Sequence, residues 1–114
     1  NVVSNTAITF DPAPAKSYAY CSDTAYCEKI IPQILNTTLL YHEATFLQQH
    51  TVLASKTMHS TPEQAATIAK KANVGTLLLG HYSGRYTDYN EFKNQAQEIF
   101  TATQLAQDGK VFEI

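Results

Sequence analysis

Apolar residues gather in short blocks separated by polar clusters, and the spacing within the blocks changes along the chain. Thr37-Thr38-Leu39-Leu40-Tyr41-His42 and Thr76-Leu77-Leu78-Leu79-Gly80 are compact apolar runs. Such runs fit strands covered on both faces of an α/β sheet. Lys16 to Ser22 alternates, with Tyr18 and Tyr20 on one side, and reads as a strand delivering Asp23 to its end. Val2 to Phe10 reads as a further strand, broken by Asp11-Pro12-Ala13-Pro14. Helical spacing replaces alternation after Thr61. Thr61 can cap, Pro62 suits the first helical position, and Gln64 can close a capping box. Ala65, Ile68, Ala69 and Ala72 then mark one apolar face, and Asn73 and Gly75 supply the stop. Thr24 to Leu35 reads as a short helix interrupted at Pro32, and Leu47 to Lys56 as a weakly patterned one. Tyr89 to Phe100 reads as an amphipathic helix with Phe92, Ala96, Ile99 and Phe100 inward. Leu105-Ala106, the Asp108-Gly109 turn and Val111 to Ile114 read as a closing hairpin. The order β-β-α-β-α-α-β-α-β-β implies α/β layering.

In open α/β sheets ligands sit beyond the carboxyl ends of the strands. Asp23, Glu43 and His81 all fall at such ends. A carboxylate like Asp23 can face two cations with its two oxygens, or simply cap a turn. His81 ends an apolar strand, as a ligand or as a structural imidazole. Four positions on, Arg85 follows Ser83, so a guanidinium fork and a hydroxyl can face one anion. His59 stands just before a helix N-terminus, where anions are favoured, and can donate a proton to a leaving oxygen. Glu43 can orient it by accepting its other ring N–H. His42 and His50 read as a strand and a surface residue. His42-Glu43 is not the helical zinc-protease motif, because no second histidine follows at the required spacing.

Bulk properties narrow the choice. The 114 residues make one small domain or a piece of a larger one. A net charge of −2 without a basic patch argues against autonomous nucleic-acid binding. No apolar run approaches the roughly 18 residues of a membrane helix, and no signal peptide opens the chain. Cys21 and Cys27 read as two free thiols in a reducing cytoplasm. A zinc site of Cys21, Asp23 and Cys27 would need a fourth ligand and tighter spacing. The start at Asn1 rather than Met points to a fragment.

The clusters in order resemble one family. Ser22-Asp23-Thr24, then Leu40-Tyr41-His42-Glu43-Ala44-Thr45-Phe46, then His59-Ser60-Thr61 with Gln64-Ala65-Ala66 and Ile68-Ala69, then His81-x-Ser83-x-Arg85-Tyr86, then Ala106-x-Asp108-Gly109 closely resemble the C-terminal half of ribonuclease Z. That family is the tRNA 3′-processing endonuclease of the metallo-β-lactamase fold. The resemblance runs from about Tyr18 onward. It implies half of an αβ/βα sandwich, a mixed sheet with covering helices, over residues 1–114. It also implies two divalent metal ions, usually zinc, in the complete enzyme, with Asp23 bridging them and His81 a terminal ligand of one. His59 would stabilise the transition state or protonate the departing 3′ oxygen, held by Glu43, while Ser83 and Arg85 contact the phosphate. Two positions depart from the family pattern: Ser22 stands where glycine is usual before the aspartate, and Gly80 where threonine is common before His81.

The family's first-half motif, His-x-His-x-Asp-His, is absent from these residues. One carboxylate and one histidine fall short of the four ligands zinc prefers. The expectation is therefore the C-terminal portion of a phosphodiesterase that removes 3′ trailers from precursor tRNA, inactive alone, with the N-terminal half missing. An exposed sheet edge would favour a homodimer or a separately supplied partner half. Two alternatives stay open: another hydrolase of this fold acting on small phosphodiesters or sulfate esters, and a non-catalytic interaction module.

Overall fold

A computed structural model describes residues 16–106. The strand read at Val2–Phe10 and the Asp108-Gly109 turn with its following strand lie outside the described residues. Four strands, β1 (Tyr18–Cys21), β2 (Leu39–Glu43), β3 (Thr76–Gly80) and β4 (Thr103–Leu105), form one sheet in the order β1-β2-β3-β4. All three ladders are parallel, pairing Cys21 with His42, Glu43 with Gly80, and Leu79 with Leu105. The chain thus has the α/β layering that the sequence order implies. Within the described residues the sheet is parallel rather than mixed. The hairpin read from Leu105 through Asp108-Gly109 lies outside the described residues, and Leu105 itself belongs to a strand parallel to β3. Helix α4 (Asn90–Gln97) carries the chain back between them, as a parallel pair requires.

Helix α3 (Pro62–Ala72) begins where Thr61 predicts. The Gln64 N–H donates to the Thr61 hydroxyl, and the Thr61 N–H donates to the Gln64 side chain, a complete capping box. It ends at Asn73, whose left-handed φ of 54° closes the last turn. Ala65, Ile68, Ala69 and Ala72 are fully buried against Leu40, Leu77 and Leu79 of the sheet, with Phe92 and Ala96 of α4 beside them. The Thr61 hydroxyl also donates to the Gln48 side-chain carbonyl at 2.6 Å. Thr61→Ala is expected to lower the unfolding free energy by about 1–2 kcal/mol in urea titrations, and Thr61→Ser to lower it far less.

Two helices differ from the sequence reading. A 3₁₀ turn at Glu28–Ile30 leads into the short α1 (Ile31–Ile34), where Pro32 sits in the first turn rather than interrupting. Residues 24–27 are not helical, and the Thr24 N–H donates to the Glu43 carboxylate. Likewise Leu47 to Lys56 splits into a 3₁₀ turn, Gln48–His50, and α2 (Thr51–Lys56). Ile99 and Phe100 lie beyond α4 but still pack on the core.

The parallel topology points the carboxyl ends of β1, β2 and β3 at one edge of the sheet, where Asp23, Glu43 and His81 emerge. Ser22 does not prevent the turn: Asp23 itself takes φ 52°, and His81 takes φ 64°. Gly80 has a packing reason. A Cβ there would lie 2.7 Å from Cζ of the Tyr41 ring, which stacks on Tyr20 at 4.6 Å.

Candidate metal and phosphate site

Glu43 is the hub. It is fully buried at the end of β2, and its two oxygens accept five hydrogen bonds. Oε1 accepts from the Thr24 N–H at 2.9 Å and from His59 Nδ1 at 2.7 Å. Oε2 accepts from the Thr45 N–H at 3.1 Å, the Thr45 hydroxyl at 2.8 Å and the Ser60 N–H at 3.0 Å. A buried carboxylate is tolerable only when so fully paired.

This network reaches both site histidines. His59 gives its Nδ1 proton to Glu43, so the neutral imidazole keeps a lone pair on Nε2. The Thr45 hydroxyl spends its one proton on Glu43 and can therefore only accept from His81 Nδ1, 3.0 Å away. Neutral His81 is thereby left with its lone pair on Nε2, which lies 3.4 Å from Asp23 Oδ1. In that neutral form two acceptors face each other, an arrangement that a cation relieves, whereas a doubly protonated ring would donate Nε2–H to Asp23. One donor atom from each of Asp23, His59 and His81 lies within 4.8 Å of the others. The nitrogen and carboxylate donors suit a divalent transition ion, although three fall one short of the usual zinc set. The Asp23 side chain is 70% exposed and that of His81 44%, so the cluster opens to solvent.

Backbone strain is concentrated here. Asp23, His81 and Met58, which precedes His59, are three of the five described non-glycine residues with positive φ. Each costs on the order of 1–3 kcal/mol, and such residues cluster where function requires them.

Ser83 and Arg85 meet the cluster through its neighbours. The Ser83 N–H donates to the Thr45 carbonyl at 2.9 Å, and the Ser83 hydroxyl accepts from the Arg85 N–H at 3.3 Å. The Arg85 guanidinium lies 5.6 Å from the Phe46 ring centre, and Phe46 meets the His59 ring edge-on at 6.1 Å. Sequence reasoning assigned no role to Thr45, Ser60 or Thr24. Each stood in one of the resembling clusters, Thr24 after Asp23, Thr45 two positions past Glu43 and Ser60 after His59, but nothing local joined them to one carboxylate. Cys21 and Cys27 are free thiols and neither joins the cluster.

His42 faces away from this chemistry. It is 1% exposed, donates Nδ1 to the Glu43 carbonyl at 2.8 Å, and leaves Nε2 without a partner. Burial holds its pKa below the ordinary histidine value. The folded state therefore binds fewer protons than the unfolded one. Stability should be full above about pH 6.5 and fall below it, by at most about 1.4 kcal/mol per pH unit, until the folded-state pKa is passed. Urea midpoints measured from pH 7.5 to 5 should show this slope, and His42→Leu should flatten it.

Comparison with known proteins adds three observations. The family described as Beta-lactamase superfamily domain matches residues 2–82. The ribonuclease Z of Parabacteroides distasonis is 48% identical over 108 residues, covering 95% of this chain and 36% of that protein. The chain spans about a third of the length of the curated relatives it matches. Among solved structures, the metallo-beta-lactamase fold protein YhfI from Bacillus subtilis superposes with a TM-score of 0.76 at 28% identity, over 82% of this chain and 38% of its own. The short form of human tRNase Z does so with a TM-score of 0.59 at 32% identity, over 74% and 27%.

Proposed function

The chain belongs to the beta-lactamase superfamily, and on that premise we propose that it is the C-terminal portion of a metal-dependent phosphodiesterase that cleaves 3′ trailers from precursor tRNA. The observation that carries this reading is the convergence of Asp23, His59 and His81 in front of one buried Glu43–Thr45 network. The ribonuclease Z relatives, similar over nearly the whole chain, favour RNA as substrate over the small phosphodiesters or sulfate esters of other hydrolases with this fold.

In this reading Asp23 and His81 are the residues of this chain that would hold the divalent ions, zinc by preference. Divalent ions held there supply Lewis acids that polarise the scissile phosphate. Glu43 holds His59 by its Nδ1–H and so aims Nε2 toward the departing 3′ oxygen; once Nε2 has also taken up a proton, the imidazolium can pass that proton to the oxygen and return to the neutral Nδ1–H form. Ser83 and Arg85 take the phosphate's remaining oxygens. The donors present are too few to fill an ion's coordination shell. The chain alone is therefore inactive, and a half bearing His-x-His-x-Asp-His completes the site. That half is supplied by a longer chain in the cytoplasm or by a partner, with homodimers the expected assembly.

Mixing the 114-residue chain with the N-terminal half of a ribonuclease Z and zinc tests this. Cleavage of precursor tRNA at the 3′ side, well above that of a chromogenic phosphodiester, is the expected outcome. Preference for the chromogenic ester would favour the small-substrate alternative. Absence of binding between the halves would favour a non-catalytic module. No helix among the described residues is long and apolar enough to cross a membrane.

A further inference from the structure

We propose that His50 is a positioning residue. Through the Tyr86 hydroxyl it fixes the loop that presents Arg85 to the substrate phosphate, a proposal that rests on the phosphodiesterase reading above.

The loop after β3 is anchored at its start by Tyr82, which stacks on Tyr89 at 4.4 Å and whose hydroxyl lies within hydrogen-bond reach of the Leu79 and Ala106 carbonyls. Ser83 is tied to Thr45 by its N–H, and the Tyr86 N–H donates to the Ser83 carbonyl at 3.2 Å. Beyond these, Tyr86 does the holding. Its hydroxyl accepts from the Leu47 N–H at 3.0 Å and lies 2.6 Å from His50 Nδ1. With Leu47 as donor, the phenol's own proton is free to go to the His50 Nδ1 lone pair. The Tyr86 ring meets the fully buried Phe92 edge-on at 5.1 Å, so the phenol is anchored at both ends.

Arg85 is next in the chain. Its guanidinium rests over Phe46, which directly precedes Leu47. Among the described residues no carboxylate pairs with it. An exposed arginine has many rotamers, and ordering it on substrate costs free energy unless its backbone is fixed beforehand. The hydroxyl joins the Leu47 backbone on one side to the Arg85 loop on the other. Losing it removes the tie nearest Arg85 and leaves the loop joined to the segment of Phe46 and the histidine network through Ser83 and His81 alone, both on Thr45. The phenol thus donates a tight hydrogen bond, 2.6 Å long, to a half-buried histidine that takes no part in the metal cluster.

The decisive experiment is a mutant cycle in the assembled, cleaving protein, read as kcat/KM on precursor tRNA. Arg85→Ala should lose about tenfold or more, the scale of a charge-assisted contact. His50→Leu and Tyr86→Phe should each lose about three- to tenfold, and neither should lose more once Arg85 is alanine. His50→Asn, whose amide oxygen can take the place of Nδ1, should retain most of the activity. Additive losses, or an unimpaired His50→Leu beside an impaired Arg85→Ala, would overturn the proposal. A second measurement needs no turnover. The Arg85 Nε–H signal in NMR spectra of the 114-residue chain should move or broaden in His50→Leu and not in His50→Asn. An unchanged signal in His50→Leu overturns the positioning role whatever the substrate is. A shifted signal with no tRNA cleavage by the assembled wild type would instead sustain His50 and sink the phosphodiesterase reading.

Discussion

Glu43→Ala is expected to cost about 3–5 kcal/mol of folding free energy, the scale of removing one side of a buried charged network. The substitution strands the Thr24 and Ser60 N–H groups and takes a partner from the Thr45 hydroxyl and the His59 ring, while the Thr45 N–H keeps the Ser60 carbonyl at 3.0 Å. An unmet buried donor costs about 1–3 kcal/mol, and partial relaxation and water entry keep the sum below the full total. Against the roughly 5–15 kcal/mol of a small domain, such a loss leaves the fold marginal at best. Glu43→Gln should also be destabilised, because its amide NH₂ must face N–H groups. Urea titration of both variants checks this, and a loss under about 1 kcal/mol in Glu43→Ala would show that the network stabilises little.

The second large effect concerns chemistry. In the assembled protein His59→Ala should lower kcat on precursor tRNA by about 10²- to 10⁴-fold, the usual contribution of a positioned acid or base. Its folding free energy should change little by comparison. The His59 side chain is 21% exposed, so water can replace its hydrogen bond to Glu43. A fall in kcat with KM nearly constant would place His59 in the transition state rather than in substrate binding. A parallel fall in stability and activity would instead make it part of the scaffold.

Much of this was legible in the chain because it is local. The Thr61-Pro62-Gln64 start of α3, its alanine face, and the Leu39-Leu40 and Leu77–Leu79 strands depend on neighbours three or four positions away. The site clusters were legible for a similar reason: each is short and lies at a strand end, and parallel strands bring such ends together. What was hidden is long-range. Thr24 stands outside any helix and gives its N–H to a carboxylate 19 positions on. Leu105 joins a parallel ladder because α4 returns the chain, which no turn residue near it announces. Thr45 links two histidines, one 14 and one 36 positions away, with a single hydroxyl. The left-handed backbone at Asp23 and His81 carries no glycine signature. His50 read as a surface residue until Tyr86, 36 positions on, was placed against it.

The most direct test is the protonation pattern of the two site imidazoles. Long-range ¹H–¹⁵N correlation spectra of the chain at neutral pH distinguish the two tautomers of each ring. His59 and His81 should both carry the proton on Nδ1, and the Nε2 resonance of His81 should shift on titration with zinc or cadmium, with Asp23→Asn weakening the response. An Nε2–H tautomer at His81, or resonances indifferent to the ion, would mean that Glu43 and Thr45 do not prepare a cation site at all.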